Sequence, residues 1–261
     1  MNMDLQLTDK IIPVTGGAKG IGEGIALVLA KEGAIPVIIG RKSADNQKVV
    51  DAITASGGKA WQVEAELTDP ASSEHAVKAI LNQFGRIDGL VNNAGVNDGV
   101  GLENGSYEAF MASLHKNLVH YFLMAHYALP ALKESKGAIV NISSKTADTG
   151  QGGTSAYAAS NGGRNALTRE WAVELLPFGI RVNAIVVAEC FTPLYQTWIN
   201  SLPNPKEKLA SIVQNIPLGN RMTTAEEIAN TTAFLLSERS SHTTGQLLYV
   251  DGGYVHLDRS L

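Results

Sequence analysis

The sequence lacks the cysteines that stabilise many small proteins through disulfides or zinc, and it lacks the apolar segments that direct a protein into a membrane. Cys190 is the only cysteine among 261 residues, so no disulfide can form within the chain and a cysteine-based zinc site is not expected. No apolar run is long enough to span a bilayer, and the first ten residues lack the apolar centre of a signal peptide. These absences predict a cytoplasmic protein with no membrane partner.

The charge of the chain is small and evenly spread. Lys and Arg number 21, Asp and Glu number 25, the formal net charge is −4, and no run is rich in Lys and Arg. This balance predicts small-molecule partners and no nucleic acid. The 26 glycines against 9 prolines are typical of a compact sheet protein with many tight turns. Because no residues stand at metal-ligand spacing, no metal is predicted.

Short apolar runs alternate with longer segments of helical period along the chain, which is the pattern of a parallel sheet covered by helices. Strands are predicted at 11–15, 35–39, 60–64, 89–91, 138–142, 181–187 and 246–250. Helices are predicted at 21–31, 45–55, 70–84, 107–132, 155–176 and 225–236. The fold class is therefore α/β, a single doubly wound Rossmann-type domain over 1–261 with a seven-stranded parallel sheet and helices on both faces.

The segment 189–219 departs from this rhythm. It carries Pro193, Pro203, Pro205 and Pro217 and is too long for an ordinary connection. Such insertions are usually functional. We expect a substrate lid here.

A glycine-rich turn follows the first predicted strand and opens the first helix, in the run Thr15-Gly-Gly-Ala-Lys-Gly-Ile-Gly22. Glycines permit a sharp turn and let backbone amides approach a pyrophosphate, whose charge lies at the helix N-terminus. The run Asn92-Asn-Ala-Gly95 after the fourth strand adds to this signal. Together they predict a dinucleotide site.

Proton-transfer chemistry is indicated by a tyrosine and a residue four places downstream. Tyr157 and Asn161 lie on one face of a predicted helix, so they can serve one site. Ser144 ends an apolar strand and brings a hydroxyl to the carboxyl edge of the sheet, where open α/β sheets bind ligands.

These motifs resemble the short-chain dehydrogenase/reductase family over nearly the whole chain. The resemblance implies a catalytic group of Tyr157, Ser144, Asn117 and Asn161. It also implies that Gly16, Gly20 and Gly22 form the cofactor turn, and that Asn93 and Gly95 support the ribose side. The full set expected at the cofactor is Gly16, Lys19, Gly20, Ile21, Gly22, Arg41, Lys42, Glu66, Leu67, Asn93, Ala94, Gly95, Tyr157, Asn161, Val187 and Thr192.

Asn161 departs from the family, which has lysine at this position to bind the nicotinamide ribose and favour tyrosinate. A cation about 4 Å away at a dielectric near 20 is worth roughly 4 kcal/mol. Without it the general base is mostly protonated at neutral pH, which predicts a slow enzyme with an alkaline optimum. Two other interpretations stay open: Lys145 supplies the charge, or Asn161 was introduced to trap a complex.

The end of the second strand bears on the choice of dinucleotide. It reads Gly40-Arg41-Lys42, with no carboxylate to bind a ribose 2′-hydroxyl. Arg41 and Lys19 favour a 2′-phosphate. NADP is the predicted cofactor, with NAD as the alternative, and Glu66-Leu67 should border the adenine.

The predicted substrate pocket is rich in polar groups, which favours a polyhydroxylated substrate. Several of its segments resemble bacterial L-fucose dehydrogenases within the family, which oxidise the anomeric hydroxyl to a lactone. The resemblance further implies a homotetramer. A different small alcohol or carbonyl substrate, and a dinucleotide-binding homologue with a sensing or assembly role, remain alternatives. The expected substrate residues are Ser144, Lys145, Gln151, Tyr157, Glu189, Asn97 and His115.

Overall fold

The computed structural model describes residues 4–257 and contains a seven-stranded parallel sheet. The strands are β1 (Ile11–Thr15), β2 (Ile35–Gly40), β3 (Trp61–Glu64), β4 (Gly89–Asn92), β5 (Ala138–Ser144), β6 (Arg181–Val187) and β7 (Leu247–Val250). The predicted strands are confirmed, with ends that differ by at most two residues. The helices are α1 (Gly20–Lys31), α2 (Ser43–Ala55), α3 (Pro70–Phe84), α4 (Tyr107–Leu114), α5 (His120–Ser135), α6 (Ser155–Glu174), α7 (Pro193–Asn200), α8 (Pro205–Gln214) and α9 (Ala225–Leu236).

The strand order is β3-β2-β1-β4-β5-β6-β7, and all pairs are parallel. The chain therefore winds outward in both directions from the boundary between β1 and β4. A crevice forms at this boundary, outside the carboxyl ends of the strands, because the connections leave in opposite directions. The functional site is expected there.

Both faces of the sheet are buried, which explains why strands such as β1 are continuous apolar runs instead of alternating patterns. One hydrophobic cluster packs α3, α5 and α6 against the sheet, and a second packs α1 and α9 against the other face. These layers confirm the predicted doubly wound architecture.

Two predicted elements differ from the structure. The helix predicted over 107–132 is interrupted by a π-helical turn at His115–Val119, between α4 and α5. The segment 189–219, for which no regular structure was predicted, contains α7 and α8. Both helices begin at prolines, which favour the first helical turn although they break helix interiors.

Candidate active site

The glycine-rich turn between β1 and α1 is fixed to the loop that follows β4. The Thr15 hydroxyl accepts hydrogen bonds from the backbone amides of Asn93 (2.8 Å) and Ala94 (3.0 Å). In return, the side-chain amide nitrogen of Asn93 donates to the Thr15 carbonyl at 2.9 Å. A Cβ atom at Gly22 would lie 2.3 Å from the Gly16 carbonyl oxygen, so no other residue fits there. The two loops act as one rigid support at the switch point.

This support fits a dinucleotide. The first turn of α1 begins with Gly20, Ile21 and Gly22, whose backbone amides have no partner within the helix and can bind a pyrophosphate. Thr192, the N-cap residue of α7, lies so close that its Cβ would be 3.2 Å from a Cβ at Gly20. Val187 ends β6 on the same edge. A bound nicotinamide would supply the hydride acceptor or donor.

The cations predicted to select NADP each have a carboxylate partner. The Arg41 guanidinium lies 3.7 Å from the Glu66 carboxylate, and Lys19 Nζ lies 2.8 Å from Asp45. The ion pair with Lys19 lowers the pKa of Asp45. Lys42 is exposed and is the N-cap residue of α2, while Leu67 is buried. Arg41 and Lys42 directly follow β2, and the cofactor contacts expected of these residues stay predictions.

Ser144 and Tyr157 are both placed at the carboxyl edge of the sheet. Ser144 is the last residue of β5, and its hydroxyl accepts from the Thr146 backbone amide at 3.3 Å. Tyr157 is the third residue of α6 and is partly exposed. A partly exposed phenol in the first turn of a helix can exchange a proton with a bound alcohol.

Asn117 lies in the π-helical turn and is fully buried. Its side-chain oxygen accepts from the Val96 amide at 2.7 Å, and its amide nitrogen donates to Ser113 at 3.2 Å. The widened turn also frees the Asn117 carbonyl, which accepts from Arg164 at 2.6 Å. π-Helical turns of this kind are frequent at functional sites.

The Asn161 side chain is fully buried and is engaged with the protein. Its nitrogen donates to the Tyr157 carbonyl at 2.8 Å and to the Thr146 hydroxyl at 3.5 Å. Its oxygen accepts from Arg164 at 2.9 Å. The ribose contact expected of Asn161 therefore competes with these three contacts and stays a prediction.

A buried ion pair lies beside Ser144. Lys145 begins a 3₁₀ turn directly after β5, and its ammonium pairs with Glu189; each side chain is 10% exposed. The same ammonium lies 4.1 Å from the centre of the Tyr254 ring. Burial, and secondly the charge of Glu189, raise the pKa of Tyr195 in α7. Because Lys145 is neutralised by Glu189, its charge is a poor substitute for the family lysine.

A cavity of about 540 Å³ opens next to this pair. Tyr254 and the exposed Gln151 line it together with Lys145. Two other predicted substrate residues, Asn97 and His115, are exposed in the loop after β4 and in the π-helical turn. The structure gives neither of them a contact with the cavity.

Sequence reasoning missed four residues of the site: Thr15, Arg164, Tyr195 and Tyr254. Thr15 precedes the glycine-rich turn, and Arg164 stands seven residues after Tyr157, which is again the same helix face. Those spacings were available signals. The tyrosines reach the site only through the tertiary path of α7 and the C-terminal segment. Within residues 4–257 no group of three His, Cys, Asp or Glu residues could hold a metal, and no helix is long and apolar enough to cross a membrane.

Comparison with known proteins agrees with this geometry. Residues 16–255 match a family model described as enoyl-(acyl carrier protein) reductase. The 3-oxoacyl-[acyl-carrier-protein] reductase FabG of Thermotoga maritima is 36% identical, over 96% of this chain and 100% of its own length. The crystal structure of Cj0485 dehydrogenase is 47% identical with a TM-score of 0.94, over 99% of both chains. The ligand-free aldohexose dehydrogenase of Thermoplasma acidophilum is 29% identical with a TM-score of 0.88, over 99% of both chains.

The protein belongs to the short-chain dehydrogenase/reductase family. Family membership makes it an oxidoreductase of alcohol or carbonyl substrates that uses NAD(P).

Proposed function

We propose that this protein is an NADP-dependent sugar dehydrogenase that oxidises the anomeric hydroxyl of an aldose such as L-fucose to the lactone. The observation that carries the proposal is the buried Lys145–Glu189 pair, of which Lys145 lines the cavity. Burying two opposite charges is costly unless further hydrogen bonds satisfy them. A polyhydroxylated ring offers both donors and acceptors to such a pair, whereas an acyl chain or a cyclic hydrocarbon does not.

In this proposal Tyr157 takes the proton of the anomeric hydroxyl while Ser144 hydrogen-bonds the same oxygen. A bound nicotinamide dinucleotide would accept the hydride from the anomeric carbon, which becomes the lactone carbonyl. Lys145 and Glu189 hold ring hydroxyls, and Gln151 contacts the substrate at the exposed rim. The similarity to an aldohexose dehydrogenase supports this substrate class.

The first test is L-fucose with NADP, followed as nicotinamide absorbance. The expected result is reduction of the cofactor that falls by about 10²–10⁴-fold in Tyr157→Phe. A panel of aldoses, tested with both this chain and its Asn161→Lys variant, decides the substrate class. No turnover of any aldose by either protein would remove the sugar proposal and leave another alcohol or carbonyl as substrate, as the similarity to FabG suggests.

A second candidate function is favoured by Asn161, which lacks the family charge. In this case the protein binds a dinucleotide without efficient chemistry and acts in sensing or assembly. Single-turnover mixing with saturating sugar separates the two candidates. A sensor shows cofactor affinity and no reduction in the first turnover, while an attenuated enzyme shows slow reduction.

The dinucleotide is proposed to be NADP because Arg41, Lys42 and Lys19 surround the end of β2. The pairing of Arg41 with Glu66 and of Lys19 with Asp45 keeps NAD as the alternative, since each carboxylate offsets a charge that a 2′-phosphate would use. Titration of both dinucleotides by calorimetry decides between them.

The segment 189–219 is proposed to act as the substrate lid. Its α7 starts with Thr192 against Gly20 and carries Tyr195 beside the Lys145–Glu189 pair, so one short helix contacts both halves of the site. A homotetramer is proposed because Tyr107, Phe122 and Val173 leave apolar side chains exposed on α4, α5 and α6. Light scattering in solution tests the assembly.

A further inference from the structure

We infer that the C-terminal turn, residues 251–257, gives the substrate cavity an apolar wall that selects 6-deoxyaldoses, which are sugars with a methyl group in place of the terminal hydroxymethyl group. This inference rests on the proposed sugar dehydrogenase function and names the class of sugar. Among the described residues, the cavity of about 540 Å³ is lined by two segments of the chain. One segment follows β5 and the other follows β7.

The two segments differ in chemistry. The first offers an ammonium, a hydroxyl and an amide to a ligand. We call it the polar wall, and it comprises Lys145, Thr149, Gly150 and Gln151. The second offers an aromatic ring and two aliphatic side chains. We call it the apolar wall, and it comprises Tyr254, Val255 and Leu257. The walls meet where Lys145 Nζ lies 4.1 Å from the centre of the Tyr254 ring, a cation–π contact.

The turn that carries the apolar wall is held by a buried carboxylate. Asp251 is 6% exposed, and its side chain accepts hydrogen bonds from the backbone amides of Gly253 (2.8 Å) and Val255 (2.9 Å). Gly253 has a φ of +80°, and a Cβ atom there would lie 2.5 Å from Leu257 Cδ1, so the Leu257 side chain packs directly on the turn. The apolar wall is therefore a defined surface, and Asp251 is its positioning residue.

Two further hydrogen bonds connect this part of the chain to the rest of the site. The Leu218 amide, in the proposed lid segment, donates to the Gly252 carbonyl at 2.9 Å. The Tyr249 hydroxyl, in β7, donates to the carboxylate of Asp148 at 3.1 Å, and Asp148 directly precedes Thr149 of the polar wall. The apolar wall is thereby joined to the lid segment and to the polar wall.

The apolar wall presents hydrocarbon surface that a ligand can cover. Leu257 is 57% exposed, and Tyr254 and Val255 are partly exposed. Covering such surface with an apolar group is favourable. A hydroxyl placed against the aliphatic side chains loses its hydrogen bonds to water and gains none in return. A methyl group therefore fits this wall better than a hydroxymethyl group does.

The Lys145–Glu189 pair requires that the rest of the ligand be polar. Both side chains are 10% exposed, and buried charges need further hydrogen bonds, which ring hydroxyls supply. A cyclic hydrocarbon alcohol would match the apolar wall and leave the pair without these bonds. A sugar with a hydroxyl on C6 would match the pair and lose at the apolar wall. A 6-deoxyaldose matches both surfaces, because it carries ring hydroxyls and one methyl group.

The test compares the binding of L-fucose and L-galactose, which differ only by a hydroxyl on C6. Calorimetric titration is done with saturating NADPH, which cannot accept a hydride, so that binding is measured without turnover. L-fucose is expected to bind about tenfold more tightly, the lower end of what an apolar pocket achieves for a single group. D-fucose and D-galactose form a second pair with the same chemical difference and should show the same direction.

Two variants of the apolar wall should remove this preference. Val255→Thr adds a hydroxyl at nearly constant volume, and Leu257→Ser removes hydrocarbon at an exposed position, so both proteins should fold. Each should bring the two affinities within about threefold of each other. Asp251→Ala, which frees the turn, should do the same while NADPH binding is retained. The matched control is Gln151→Ala in the polar wall, which should weaken both sugars by the same factor and keep their ratio.

The ratio of affinities separates recognition from a structural role. A wall that only supports the fold would shift the melting temperature and both affinities together, and the ratio would stay constant in Val255→Thr and Leu257→Ser. That result, or equal affinity of the unaltered protein for both sugars of each pair, would overturn the inference and leave the sugar dehydrogenase function standing. If NADPH binds and no aldose of either pair binds, the proposed function itself fails, and this inference fails with it.

Discussion

The two halves of the candidate site are held together by different kinds of contact. The nucleotide half, at β1 and the turn before α1, depends on backbone and on absent side chains: Gly22 has no room for a Cβ, and Thr15 and Asn93 bond backbone groups. The catalytic half, at β5 and α6, depends on buried polar side chains that bond each other. The first half has no room for a side chain at Gly22, whereas the second half can exchange one polar side chain for another. The position at which this chain departs from the family, Asn161 in place of lysine, lies in the second half.

The largest effect should come from breaking the pair in the catalytic half. Lys145→Met leaves the Glu189 carboxylate buried without its cation, which should cost about 3 kcal/mol of unfolding free energy. The double variant Lys145→Met/Glu189→Leu should recover most of this stability while sugar binding stays lost. Chemical denaturation and sugar titration measure both. Equal stability of the single and double variants would show that Lys145 and Glu189 are not energetically coupled.

In the nucleotide half, a second substitution should not repair the effect of the first. Gly22→Ala places a methyl group against the Gly16 carbonyl oxygen and the Asn93 amide, and the shift of backbone this forces should weaken cofactor affinity about 100-fold, roughly 2.7 kcal/mol. Asn93→Ala, which relieves one of the two clashes, should not rescue it. Calorimetric titration with NADP measures the effect. Rescue by the second change would remove the contrast between the halves.

Asn161→Lys sharpens the comparison within the catalytic half. The added cation makes tyrosinate available at lower pH, so the alkaline rise of kcat should move to lower pH and turnover at pH 7 should increase about tenfold. The gain is limited because the new ammonium would lie against the buried Arg164 guanidinium, which now bonds Asn161 Oδ1 at 2.9 Å. The pH profile of kcat with an aldose measures it. Identical profiles for the two proteins would contradict the prediction that the missing charge at position 161 limits turnover.

Arg41→Ala should give the smallest effect. The side chain is 76% exposed and already paired with Glu66, so its loss should weaken NADP binding only about threefold and leave NAD binding unchanged. The ratio of the two dissociation constants is the readout, with Glu66→Gln as the matched control that should strengthen NADP binding. A tenfold loss for NAD as well would show that Arg41 supports the fold of the site.

The sequence predicts the fold well because hydrophobic period and strand length are local properties. All seven strands follow from apolar runs such as Ile11–Thr15, and the glycine-rich turn follows from its place between strand and helix. The misses have a common physical origin. Pro193 suggests a loop in the sequence, although it is the first residue of α7. The π-helical turn depends on a hydrogen bond from Arg164, on another helix, to the Asn117 carbonyl.

The candidate site is predictable to the same extent. Ser144, Tyr157 and the glycines are found from spacing. The surroundings of Asn161 are not, because they require the knowledge that Arg164 is buried and that it donates a hydrogen bond to Asn161 Oδ1. These are properties of packing.

The contact between Thr192 and Gly20 bears on the kinetic order of the reaction. Thr192, directly before α7, lies close to Gly20 in the first turn of α1, so the proposed lid would have to withdraw before a nucleotide reached or left that turn. We therefore expect the nucleotide to arrive before the sugar and to depart after the lactone. The slow step at saturation would then be nucleotide dissociation, and replacing Thr192 would change the turnover ceiling while the chemical step kept its rate.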